Sequence, residues 1–187
     1  MQRRTNVDRA LADSFKELAR KSSIDKITIK EITDKAGVIR PTFYNHFQDK
    51  YVLLEWIIRT DILDPTIPLI QEGALKDGLL LIFTNLQRDK EFYTKVVRLE
   101  GQNSCETITK KFIKEILFSA IHEKAGSKKA AKKGLTVDLI AEYYAQSMTF
   151  VVISWIKMNM SLSPAQMTDI FQYITSHSIE DVISEMQ

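Results

Sequence analysis

A chain of 187 residues with 44% hydrophobic content is long and apolar enough to bury a core, which excludes a disordered polypeptide. Six Gly and four Pro, set against abundant Lys, Glu, Leu, Ile and Ala, disfavour a strand-and-turn architecture, and the longest apolar run, FVVISWI at 150–156, is far short of a bilayer span. The formal charge of +2 hides an asymmetry: residues 1–50 carry 11 Lys/Arg against 7 Asp/Glu, whereas residues 51–187 carry 15 against 17, so the basic excess is confined to the N-terminal part.

The expected fold class is therefore all-α. A first helix starts near Thr5 and Asp8, carries Val7, Leu11, Phe15 and Leu18 at helical spacing, and runs to about Lys21. SSIDKI breaks that pattern, and Thr28 with Glu31 forms a capping box for a short second helix ending at Ala36. Gly37 supplies a tight turn, and Pro41 lies in the first turn of a third helix, where a missing N–H costs nothing. Asp49 caps a fourth helix that stops near DPTIP, at Pro65 and Pro68. Residues 73–97 read as one helix and a shorter one, broken near Asp89. Another helix is expected from Cys105 to Lys124, followed by a lysine-rich loop, GSKKAAKKG at 126–134, read as a solvated loop or a second polyanion contact. A long helix spans Thr136 to Asn159, and Ser163, Pro164 and Gln166 open a last one reaching about Ile183.

The start of the chain lacks an apolar signal core, and the expected location is the cytoplasm, without a membrane role. A single cysteine, Cys105, fits a reducing compartment; it reads as a partly buried thiol, with a redox sensor as the alternative. His46, His122 and His177 are scattered, no HExxH or CxxC motif occurs, and Ser176-His177 has no identifiable acid partner. No catalytic residue, metal ligand or cofactor is expected.

The most informative stretch is GVIRPTFYNHFQDK, residues 37–50. At 100° per residue Ile39, Phe43 and Phe47 share one side and are expected to anchor the helix inward. The remaining arc presents Arg40, Pro41, Thr42, Tyr44, Asn45 and His46, with no carboxylate between Gly37 and Asp49, which points to an anionic partner.

TIKEITDKAGVIRPTFYNHFQDKYVLLEWI, with its G-V-x-x-x-T-x-Y-x-x-F-x-x-K pattern, resembles the DNA-binding head of the TetR family of one-component bacterial regulators. The likeness is close over residues 5–60, and FYNHFQDKYVLLEWI is similar to the branch that includes activators of dihydroxyacetone kinase operons. Beyond residue 60 it rests on helix order and loose patterns such as NLQRDKEFY. It implies about nine helices: a three-helix helix-turn-helix head, residues 1–48, and a larger helical ligand-binding and dimerisation domain, residues 49–187. Carried over by residue, Lys30, Thr42, Tyr44 and Lys50 meet phosphates, Thr28 joins the DNA-binding set, and Arg40, Pro41, Asn45 and His46 lie toward base edges. Arg40 suits a bidentate guanine contact and Asn45 an adenine. A packing role for Tyr44 and a plain helix-start role for Lys50 are the alternatives.

The second half is rich in aromatics, and plain core is the simplest reading of any one of them. The resemblance implies a pocket for a small-molecule effector, with Phe83, Phe92, Phe112, Tyr143, Tyr144 and Met148 as lining candidates. Residues 148–156 are apolar nearly all round and must be covered on two sides. Together with 165–183 they are expected to form a four-helix homodimer interface through Phe150, Ile153, Trp155, Ile170, Phe171 and Ile174. The implied function is a ligand-responsive repressor bound as a homodimer to double-stranded DNA at an inverted-repeat operator. The alternatives are an activator of a metabolic operon and a co-regulator that acts through protein contacts without DNA.

Overall fold

The computed structural model describes residues 2–101, 104–129 and 135–185, of which 2–5, 119–129, 179 and 185 are described by backbone alone. The described residues are helical and hold no strand: α1 (Gln2–Lys21), a 3-10 turn (Ile24–Lys26), α2 (Ile29–Ala36), α3 (Arg40–His46), α4 (Lys50–Ile58), a π turn (Arg59–Leu63), α5 (Ile67–Gln71), α6 (Leu75–Arg88), α7 (Lys90–Val96), α8 (Cys105–Lys129), α9 (Val137–Lys157), α10 (Pro164–Ser176) and α11 (Ile179–Glu185). The fold is all-α, as composition and periodicity require. No helix among the described residues is long and apolar enough to cross a membrane.

Three elements differ from expectation, each for a local reason. After α4 the chain does not stop at once but widens into the π turn, where the Asn85 side chain on α6 donates to the Asp61 carbonyl at 3.1 Å and pins the widened turn. Pro68 then falls in the first turn of α5, so it starts a helix as well as ending one. The last expected helix is two: His177 is extended at φ −114° and ψ 151°, and Ser178 opens α11 by bonding reciprocally with Asp181, its backbone N–H and hydroxyl both donating to the carboxylate. Of the expected lysine-rich loop, residues 126–129 continue α8 and 130–134 lie outside the described residues.

By compactness the chain forms two units, Met1–Val96 with Met160–Gln187, and Val97–Asn159. The first unit is large because α1 packs on α2 and α3 and also on α4 and α7. Its buried face is Leu11, Ala12, Phe15 and Ala19, and Phe15 meets Phe92 of α7 edge-on at 6.2 Å. Charge reinforces this packing. Arg9 and Lys16 reach Asp61 of the π turn at 2.6 and 2.9 Å, while Lys16 and Arg20 (2.6 Å) hold Asp89 between α6 and α7. Burial pushes the Asp89 carboxyl up, but the hydrogen bonds from Lys16 and Arg20 outweigh it and hold its pKa below the ordinary carboxylate value.

In the second unit α8 and α9 pair in antiparallel register, with Lys114 on Asp138 (2.9 Å) and Glu142 (3.0 Å) and Lys110 on Glu142 (3.1 Å). Ala141, Ala145, Thr149, Val152 and Ile156 form one buried stripe of α9. Cys105 is buried at the start of α8, and burial pushes its thiol up to about 11, so at neutral pH it carries almost no reactive thiolate.

Candidate nucleic-acid interface

The helix-turn-helix is built from local signals that agree with one another. Thr28 accepts from Glu31 N–H at 3.2 Å, and its own N–H and hydroxyl donate to the Glu31 carboxylate at 2.8 and 2.7 Å, which fixes where α2 begins. Gly37 ends α2 at φ 70°, a left-handed conformation that a side chain disfavours, and Val38 N–H returns to the Thr33 carbonyl at 3.0 Å. Residues 37–39 are the whole turn. Asp49 then caps α4 by accepting from Tyr51 and Val52 N–H at 2.7 and 2.9 Å. Phe43 and Phe47 are buried, their rings tilted against each other with centroids 5.9 Å apart, and Phe47 meets Trp56 of α4. The rotation of α3 about its axis is therefore fixed.

That rotation exposes Arg40, Pro41, Tyr44 and Asn45, and leaves Thr42 half-buried. Arg40 makes no hydrogen bond or ion pair among the described residues. Tyr44 stands edge-on to Phe43 at 5.7 Å with half of its surface open, so its packing contact does not consume the phenol. Lys30 is exposed on α2 and donates to the Asp34 carboxylate one turn on, at 2.7 Å, a bond that raises its pKa. Thr28 is taken up in the capping box.

Three residues behave differently from the sequence expectation. Ile39 does not anchor α3: it is the N-cap in extended conformation, and 70% of its surface is exposed. His46 is mostly covered, because its Nδ1 lies 2.6 Å from the Asp8 carboxylate, so the ring braces α3 against α1 instead of facing outward. Lys50 turns inward, and its ammonium donates to the carbonyls of Ile24, Asp25 and Ile27 at 2.9, 2.7 and 2.9 Å, which uses all three of its donors. Burial lowers its pKa, against the pull of Asp25, Asp49 and Glu31. Neither brace shows in a periodicity plot, because Asp8 and His46 are 38 residues apart and Lys50 lies 23–26 residues from its carbonyls.

The residues considered for an effector pocket are divided between the two units. Phe83 and Phe92 are core residues of the first unit, where Phe83 meets Phe171 at 6.0 Å. Phe112 is buried in the second unit, Met148 is half-buried, and Tyr143 and Tyr144 are exposed on α9. The dimer candidates also divide. Trp155, Ile153 and Phe171 are buried within the single chain, whereas Phe150 (69% exposed), Ile170 and Ile174 stay on the surface. Leu139 and Tyr143 share the stripe of Phe150, on the side of α9 opposite Ala141 and Val152.

Two family models match the chain: bacterial regulatory proteins of the tetR family over residues 14–57, and a transcriptional regulator C-terminal region over residues 73–177. The HTH-type dhaKLM operon transcriptional activator DhaS of Lactococcus lactis subsp. lactis is 31% identical over 90 residues. That stretch is 46% of each chain, so it spans about half the length of the relative. In structure the chain resembles the dihydroxyacetone kinase operon activator DhaS, with a TM-score of 0.65 at 21% identity over 90% of this chain and 93% of that one. It also resembles NalD, the secondary repressor of the MexAB-OprM multidrug efflux pump in Pseudomonas aeruginosa, with a TM-score of 0.59 at 17% identity over 89% and 93%. With the helix-turn-helix geometry and a family match on more than half of its length, the chain belongs to the TetR family of bacterial transcriptional regulators.

Proposed function

We propose that this regulator holds an inverted-repeat operator as a homodimer, one head per half-site, and that a small-molecule effector bound by its helical body alters the hold, in the manner of a ligand-released repressor. The observation that carries the reading is the outward face of α3. Arg40, Pro41, Tyr44 and Asn45 stand exposed and carboxylate-free on a helix whose rotation is locked by Phe43 and Phe47. An arginine near the start of such a helix suits O6 and N7 of guanine, an asparagine suits adenine, and Tyr44, Thr42 and Lys30 suit the flanking phosphates. Thr28, His46 and Lys50 serve by positioning: they set the start of α2, the tilt of α3 against α1, and the turn between α1 and α2.

Homodimerisation is supported by exposed apolar stripes on two helices, Leu139, Tyr143 and Phe150 on α9 and Ile170 and Ile174 on α10, which a solvated monomer has no use for. Coupling of body to head is supported by Asp61 and Asp89, since any shift of the π turn or of the α6–α7 junction acts on α1 through Arg9, Lys16 and Arg20. An activator reading is favoured by one observation, the 31% identity to a dhaKLM operon activator.

The test is a gel shift with the full-length chain on duplexes selected from a random pool. The selected sites should carry two-fold symmetry, and affinity should fall about 10³–10⁵ between 50 and 200 mM salt for six to ten neutralised phosphates. Sites without symmetry, or affinity indifferent to salt, contradict the proposal. Measuring a reporter gene downstream of the site with and without the regulator then decides between repression and activation.

A further inference from the structure

We infer that Ile39 is a specificity-determining residue that reads a thymine through its 5-methyl group. The inference rests on the DNA-binding reading above and adds to it an apolar reader beside the polar ones. In the head, α2 and α4 are capped by Thr28 and Asp49, whose side chains accept backbone N–H groups, but α3 has Ile39 at its N-cap and no side-chain cap bond. Isoleucine belongs to the poorest class of N-cap residues. Its side chain gains little from the core in return, because the residue is 70% exposed. A position that breaks a local rule without a packing gain points to function.

The place of Ile39 narrows that function. It immediately precedes Arg40 and Pro41, at the end of α3 that a helix-turn-helix directs at base edges. A hydrocarbon side chain has nothing to offer a phosphate. Among the groups that line a major groove, the one apolar feature is the methyl of thymine, and an aliphatic side chain discriminates by removing that methyl from water. Arg40 and Asn45 recognise donors and acceptors, and Ile39 supplies the contact they lack.

The experiment uses the full-length chain and the operator obtained by selection, with each thymine replaced in turn by deoxyuridine, which deletes the methyl and leaves base pairing intact. For the wild type, a replacement in one half-site should weaken binding about fourfold, and the symmetric pair about fifteenfold, the factor for about one buried CH₂-sized group at each site. Ile39→Ser should bind the thymine and uracil operators equally, and melt at or above the wild-type temperature because serine is the better cap. Ile39→Val should keep the preference. A sequence-specific complex indifferent to every replacement, or sensitivity unchanged in Ile39→Ser, overturns the inference and leaves the DNA-binding reading standing. A marked fall in melting temperature for Ile39→Ser makes Ile39 a packing residue and also overturns it. Failure to bind any duplex overturns the reading and the inference together.

Discussion

α3 and α9 each leave a face uncovered, and the two faces are chemically opposite. α3 shows Arg40, Tyr44 and Asn45, hydrogen-bonding groups with no carboxylate among them, whereas α9 shows Leu139, Tyr143 and Phe150. The first suits a polyanion, which supplies acceptors and charge at low desolvation cost. The second suits another apolar surface, and a second copy of the same helix is the simplest source of one. The helices also differ in what holds them. α3 is clamped by two phenylalanines and by His46 on Asp8, as a reading surface needs, while α9 packs mainly along α8.

The largest effect is expected where the α9 face is made charged. Phe150→Glu should separate the subunits and lower operator affinity by about 10²–10⁴, the loss expected when two linked half-site contacts become one. The single chain should stay folded, because Phe150 is exposed within it, while the melting temperature should fall and cease to depend on protein concentration as the stabilisation by dimerisation is lost. Sedimentation and binding on the same preparation check both, and a dimeric Phe150→Glu with normal affinity would remove this face from the interface.

Next come the clamps. Lys16→Met takes the shared cation from Asp61 and Asp89 and should cost about 1.5–3 kcal/mol, or roughly 3–12 °C of melting temperature in a chain of this size. Lys50→Ala strands three carbonyls and should cost a similar amount in the head. It should also weaken all DNA sequences alike while leaving the salt slope as in wild type, because an inward ammonium releases no counterion. A slope reduced by about one per subunit would instead put Lys50 on a phosphate.

A smaller effect is tied to pH. The Asp89 carboxyl has a folded-state pKa below its ordinary value of 3.8, so its contribution is present above that pH and lost as pH falls through the depressed value. The gap in melting temperature between wild type and Asp89→Asn should be open at neutral pH and close below 3.8. A gap that stays constant with pH would mean that the carboxylate charge does not matter there.

The head was legible because its signals are local and redundant: Thr28 with Glu31, Gly37, Pro41 and Asp49 each specify a boundary that the structure keeps. Its misreadings arise where a long side chain chooses between water and a distant partner. Lys50 chooses three carbonyls and His46 chooses Asp8, and Ile39 falls outside the helix whose periodicity placed it inward. The body was less legible for a different reason. In the stretch 148–156 nearly every side chain is apolar, so periodicity does not say which face is buried, and only packing turns Trp155 inward and Phe150 outward. The break at Ser178 had a readable signal, Ser178 followed three residues later by Asp181, which the apolar periodicity across it obscured.

The most direct test of α3 as the reading surface is a selection of bound duplexes by the full-length wild type and by Arg40→Ala. Arg40 is exposed and makes no bond among the described residues, so the substitution leaves the fold intact. The expected result is an inverted repeat for the wild type and, for Arg40→Ala, loss of preference at one base pair in each half-site, at a cost of about 1–3 kcal/mol per half-site on the wild-type operator. Base preferences identical at every position in the two selections would contradict it.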